Sequence, residues 1–250
     1  MKISEWEDSE TEKQAILDLT KKTYGDDAEI SNSSYFNWQY RNNPTGKAVV
    51  LLAHDELNNN LLVGTNTIIP VSLLVDQEKI LSSLACNVQV HPDYQKKGIF
   101  SKLLSSMHSI AKMKEISSLF AIPNENSFHA FINDGSSEII QLPLLARPIK
   151  FSRYFNSPIN KFLKIFDGHW KVKTSSLSVE EFNGNFQSFE KLIEKISKRV
   201  SIIQNRNEEY LKWRYLAHPT RQYQIYVLKQ NDELVGYIII KIHILNNKKI

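Results

Sequence analysis

Apolar and polar residues alternate from Met1 to Trp6, which predicts a short edge strand. From Ser9 the period lengthens. Ser9 with Glu12 three residues on forms a helix-start signal, and Ile16, Leu17, Leu19 and Thr20 supply an apolar face, so a helix is expected over Ser9–Tyr24. A second helix is expected over Ser34–Arg41, ended by Asn42-Asn43-Pro44. Lys47–His54 and Leu61–Val75 read as a strand pair around the polar turn Asp55–Asn60, and Ile80–Val90 as a further strand. Ile99, Leu103, Met107 and Ile110 mark one face of a third helix. A buried strand over Ser117–Ile122, a short helix over Asn126–Asn133 and a strand over Glu138–Leu145 complete the series. The order β-α-α-β-β-β-α-β-α-β predicts an α/β (α+β layered) fold with a mixed central sheet flanked by helices.

After about Lys150 comes an aromatic, lysine-rich connector running to Trp170, punctuated by Pro158 and Gly168. Beyond it the chain repeats itself. Tyr35, Trp38, Tyr40, Pro44 and Thr45 recur as Tyr210, Trp213, Tyr215, Pro219 and Thr220 at one constant offset, and Leu62-Val63-Gly64 recurs as Leu234-Val235-Gly236 after a loop three residues shorter. Lys249-Ile250 corresponds to Lys79-Ile80, so the second copy is expected to stop where the first continues. The expected organisation is a domain over 1–150, a connector over 151–170 and a partial repeat over 171–250.

Composition narrows the function classes. The chain has 250 residues, 42% of them hydrophobic, and a formal charge of +4 with both signs interspersed. No polybasic tail points to nucleic acid or membrane. One cysteine, Cys86, excludes an internal disulfide, and the polar start MKISEWEDSETEKQ does not read as a signal peptide. Leu234–Ile240 is too short to span a bilayer. A cytoplasmic location is expected.

The chemistry concentrates at Val88-Gln-Val-His-Pro-Asp-Tyr-Gln-Lys-Lys-Gly-Ile-Phe-Ser-Lys102. A strand runs into two lysines and a glycine at a helix start. Bare backbone amides and positive charge at that point suit an anion, often a phosphate. An ordinary strand-to-helix turn with solvated lysines is the competing reading.

Gln95-Lys96-Lys97-Gly98-Ile99 behind Val90-His91-Pro92 resembles the signature of the GNAT superfamily of acyl-CoA-dependent N-acyltransferases, although Phe100 stands where that signature has a small residue. Asn124, Ser127, Phe131 and Gly135 are similar to a second pattern of the family, with Ser for Ala and Phe for Tyr. The resemblance covers about 1–150, and the repeat makes the chain similar to duplicated members. It implies a GNAT-like sheet followed by a partial second GNAT-like repeat, with acetyl-CoA or another acyl-CoA as co-substrate and no metal. It places the pyrophosphate on the amides of Lys97, Gly98, Ile99, Phe100 and Ser101, and the pantetheine arm on the backbone of Val88 and Val90. Gln95, Lys96 and Lys102 add side chains toward phosphate, and Asn124 with Ser127 adds a cap that doubles as a cofactor contact.

The implied activity is N-acylation, chiefly N-acetylation, of a small-molecule primary amine. The similarity to duplicated members suggests an amino sugar. The usual proton carriers are missing: Phe131 has no hydroxyl, and Ile80–Val90 has no carboxylate. His129, His91 and Asn87 remain as candidate catalytic residues, with Cys86 a less favoured nucleophile; positioning of the amine with a water relay needs none of them. The rings of Tyr35, Phe36, Trp38 and Tyr40 are expected to pack against the sheet, with stacking on a sugar as the alternative. Two other functions stay open: a non-catalytic CoA-binding or protein-interaction module on the same scaffold, and an O-acyl or aminoacyl transferase.

Overall fold

Ser9 starts the first helix. Its hydroxyl accepts from the Glu12 amide and donates to the Glu12 carboxylate, capping α1 (Glu10–Tyr24), which buries Ile16, Leu17, Leu19 and Thr20. The computed structural model describes residues 1–143, 176–182, 184–241, 244–245 and 248–249. Met1–Ser136 together with Ser178–Ile250 form one compact unit, and Ser137–Leu177 a second.

The central sheet has the order β1 (Lys2–Glu5), β2 (Val49–Asp55), β3 (Leu61–Val75), β4 (Glu78–Val90), β5 (Ser118–Ala121). All neighbours are antiparallel except β4 and β5. The continuous apolar run of β2 reflects burial on both faces. Val50 and Leu52 pack with Trp6, Ile16, Leu17 and Phe36 on one side. Val49, Leu51 and Ala53 pack on the other with Ile99, Leu103, Leu104 and Met107 of α3 (Ile99–Met113) and Phe131 of the later helix Glu125–Asn133.

Two expectations need correction. Ser34–Arg41 is not one regular helix: α2 (Ser33–Phe36) runs into a π-helical turn over Asn37–Arg41, where the Asn42 amide bonds to the Asn37 carbonyl five residues back. The wider turn keeps Phe36 and Tyr40 in the core. The expected strand Glu138–Leu145 is absent over residues 138–143, where Ile139 and Ile140 are 90% and 71% exposed. An apolar strand of that kind needs cover on both faces, and among the described residues Ile139 and Ile140 have little. Residues 144–145 and the 151–170 connector lie outside the described residues.

With α4 (Glu125–Asn133) the last helix before it among the described residues, the later part of the unit, from Ser178, comprises most of β6 (Leu177–Glu181), α5 (Gln187–Ser197), β7 (Ile202–Gln204), α6 (Glu208–Leu211), a π-helical turn over Lys212–Leu216, β8 (Tyr223–Gln230) and β9 (Glu233–Lys241). A small ladder, β10 (Ile244–Leu245) with β11 (Lys248–Lys249), follows. β6, β8 and β9 make a separate sheet over a core of Phe186, Phe189, Leu192, Leu211, Ile225 and Val227. β7 instead joins the central sheet, pairing with Leu73–Val75 where β3 overshoots β2.

The two parts share local detail. Asn32 and Asn207 both cap a four-residue α-helix that becomes a five-residue π turn. The β2–β3 ladder shifts register at Ala53/His54 opposite Gly64, and the β8–β9 ladder shifts at Leu228/Lys229 opposite Gly236. Trp38 and Trp213 stack at 4.6 Å and 13°, and each indole N–H donates to the other's backbone carbonyl, at 2.8 and 2.9 Å.

Candidate functional site

Gly98 ends the loop after β4 in the left-handed region, at φ 75° and ψ 7°, a conformation glycine adopts without penalty. Lys96, two residues earlier, is also left-handed at φ 60°. α3 therefore starts on a residue without a side chain to cap it, and its first turn carries no acidic residue, whereas α1 has Glu10 and Glu12 there. The amides of Ile99, Phe100 and Ser101 have no intrahelical partner at a helix start. The loop around them is exposed, with Gln95, Lys96, Lys97, Gly98, Ser101 and Lys102 all at the surface. The arrangement suits a phosphate ester.

The surroundings hold this turn in place. Tyr94 donates to Asp55 at 2.8 Å and accepts from Asn58 at 3.0 Å, and the Lys97 ammonium sits 4.4 Å from the Tyr94 ring centre. Gly64 lets the first turn of α3 approach β3: a Cβ there would lie 3.0 Å from Ile99, 3.1 Å from Leu103 and 3.2 Å from the Gln89 carbonyl.

β4 leads to this turn with one edge open. Its parallel pairing with β5 stops at Ala85–Ala121, and among the described residues no strand follows β4 farther on that side. On the other side Thr65 pairs with Gln89 but Thr67 with Cys86, so Asn87 and Val88 form a β-bulge opposite Asn66. Asn87 is left-handed at φ 51°. The His91 amide bonds to Val63 on β3, so by alternation the backbone groups of Val88 and Val90 point to the open edge. The Tyr24 hydroxyl, at the end of α1, donates to the Val88 carbonyl at 3.4 Å.

Polar side chains hold the bulge from beneath. Asn87 Nδ2 donates to Gln39 at 3.2 Å and to the Tyr40 hydroxyl at 3.0 Å, and Thr67 donates to Tyr40 at 3.2 Å. Gln89 donates to Thr20 at 2.9 Å. Burial, reinforced by Cys86, raises the Tyr40 phenol far above its ordinary range, so it stays neutral. Burial also pushes the Cys86 thiol up to about 12, which leaves it unreactive as a nucleophile.

The structure thus brings together Asn87, Val88, Val90 and the Gln95–Ser101 turn along one strand and its exit. His91 is buried, and its Nδ1 accepts from the Asp93 amide as a turn cap. His129 is exposed, with its ring against Phe128. Asn124 and Ser127 form a reciprocal capping box at the start of α4. Phe131 is buried edge-on to Phe100. Tyr35, Phe36, Trp38 and Tyr40 are all buried, so their rings pack rather than offer a stacking surface. Sequence reading missed Tyr24, Gln39 and Gly64 as parts of the site, and gave Tyr40 packing or sugar stacking but not its hydrogen bonds beneath the bulge. Gly64 carried a signal, a glycine inside an apolar strand, which marks a bulge or a close approach.

Residues 7–129 match the family model described as acetyltransferase (GNAT) domain. No curated protein matches the sequence. Among solved structures, the chain is similar to a GCN5-related N-acetyltransferase from Anabaena variabilis (TM-score 0.63, 12% identity, 99% of this chain and 56% of that one). It is also similar to a probable N-acyltransferase from Enterococcus faecalis (TM-score 0.63, 10% identity, 98% and 56%). A third is the Saccharomyces cerevisiae N-myristoyltransferase solved with myristoyl-CoA (TM-score 0.54, 14% identity, 96% and 60%). At these identities the likeness is one of fold. The chain spans little more than half the length of those structures.

Proposed function

With a GNAT acetyltransferase domain over residues 7–129 as the starting point, we propose that the chain transfers an acyl group, chiefly acetyl, from acyl-CoA to a primary amine. The observation that carries the reading is the open edge of β4 running into an uncapped, acid-free helix start. Acyl-CoA supplies the activated thioester. The amides of Lys97, Gly98, Ile99, Phe100 and Ser101 hold its pyrophosphate, with Gln95, Lys96 and Lys102 alongside, and the outward-facing backbone of Val88 and Val90 pairs with the amide-bearing arm. The bulge at Asn87 marks where that arm meets the body of the sheet. An amino sugar is the acceptor class in this reading; it rests on the sequence resemblance alone. We also infer that Ser178–Lys241 repeats the β-α-π-β-β unit of the first half. The shared caps, π turns and bulges support duplication.

Titration calorimetry with acetyl-CoA tests the reading, comparing wild type with Gly98→Ala and Gly98→Glu. A Cβ at Gly98 meets nothing within 4 Å, so both variants share only the left-handed backbone strain of about 1–2 kcal/mol. Glu adds a negative charge beside the proposed phosphate seat, and its affinity should fall about tenfold or more below that of Ala. A folded wild type that binds no acetyl-CoA would falsify the proposal. Binding without thiol release across a panel of amines and amino sugars would favour the non-catalytic module.

A further inference from the structure

We propose that Tyr24 is the proton carrier of the transfer, its phenolic hydroxyl protonating the sulfur that departs at the open edge of β4. The inference rests on the acyl-CoA reading above. Tyr24 is the last residue of α1, and Gly25 at φ 92° turns the chain away behind it. Its hydroxyl reaches across 64 residues of sequence to the Val88 carbonyl, the outward-facing group of the bulge. The ring is 48% exposed, so it stands at the surface where a thioester laid along Val88 and Val90 would pass.

Among the described residues, the other candidates Tyr40, His91 and His129 are placed elsewhere. Tyr40 lies buried beneath the bulge, accepting from Asn87 and Thr67. His91 caps its turn, and His129 is on the surface of α4. Phe131 has no hydroxyl to give. Burial, with Cys86 on β4 as the titratable neighbour, raises the proton affinity of the Tyr24 phenol. The phenol therefore holds its proton at neutral pH.

The step balances as follows. The amine nitrogen forms a bond to the thioester carbonyl carbon, and the carbon–sulfur bond breaks. Sulfur takes the Tyr24 proton and leaves as a thiol. The proton shed by the new amide nitrogen passes to water, and the phenolate recovers its own proton from water.

The test uses the full chain carrying Tyr24→Phe, and separately 3-fluorotyrosine at position 24. Acetyl-CoA affinity by calorimetry should stay within about threefold of wild type, while kcat for an accepted amine falls about 100-fold with KM for the amine unchanged. Fluorotyrosine, a more acidic phenol, should shift the alkaline limb of kcat to lower pH, and its ultraviolet titration should move when CoA binds. A Tyr24→Phe enzyme with kcat within about threefold of wild type overturns the inference. So does a variant that has lost acetyl-CoA affinity, which would make Tyr24 part of the binding seat. A wild type that binds no acetyl-CoA defeats the acyltransferase reading instead, which keeps the two failures apart.

Discussion

Gly64 and Gly236 occupy matching places opposite a ladder shift, yet an added methyl group meets different surroundings at each. At Gly64 the new Cβ would press on Ile99 and Leu103, both buried, and on the Gln89 carbonyl at 3.2 Å. The carbonyl cannot yield, because Gln89 is held in the ladder against Thr65. At Gly236 the nearest atoms are those of Leu228, at 3.9 Å, an ordinary contact. Neither glycine has a left-handed φ, so backbone strain does not enter. Alanine at Gly236 should therefore gain about 0.4–1 kcal/mol from reduced freedom of the unfolded chain. Alanine at Gly64 makes the same gain but must offset about 1–3 kcal/mol of overpacking. The two variants should differ by roughly 1–3 kcal/mol, read as a gap between urea midpoints at unchanged m-value, with Gly236→Ala the more stable. Relief at Gly64 comes by tilting the first turn of α3 off the sheet, so acetyl-CoA affinity should drop in that variant and hold in the other. Equal midpoints, or a less stable Gly236→Ala, would refute the close-approach argument.

Two further outcomes follow from titrating groups. The Cys86 thiol, pushed up to about 12 by burial, should resist Ellman's reagent at pH 8 in the native protein and react promptly in denaturant; fast native labelling would contradict the placement. Burial pushes the Glu29 carboxyl up, but hydrogen bonds from Arg221 and Thr220 outweigh it and hold the group below its usual range. A carboxyl depressed in the folded state stabilises above its unfolded pKa, and that stabilisation is lost as pH falls through the folded value. Glu29→Gln should thus cost about 1 kcal/mol at pH 7 and flatten the acid limb of stability below about pH 4.5, whereas a parallel offset at every pH would count against the ion pair.

What the sequence disclosed depended on the range of the interaction. α1 could be bounded because its signals are local, with Ser9 and Glu12 bonding within one turn. β3 emerged with its bounds because Asn59 and Asn60, both left-handed, supply the turn before it. The π turn at Asn37–Arg41 escaped, since five residues cannot distinguish its period from that of an α-helix. Tyr24 escaped for a different reason. At the end of a helix a tyrosine looks like any half-buried ring, and its contact with Val88 comes only from folding. Asn87 was visible as an odd polar residue inside a strand, but the bulge that explains it needs the partner strand's register. The 138–143 stretch misled because an apolar run states a need for cover without stating that cover exists.

The exchange between Trp38 and Trp213 also bears on the order in which the chain acquires its structure. Two aromatic rings 175 residues apart in sequence meet in a stack sealed by a hydrogen bond in each direction. Such a contact closes a very long loop, so its entropy is repaid only after both π turns exist to present the rings. On that ground the pair is expected to form on the native side of the folding barrier. Its removal, as in Trp213→Phe, should then speed unfolding more than it slows folding. The Trp38–Trp213 pair should thus serve as a clasp that delays escape from the folded state.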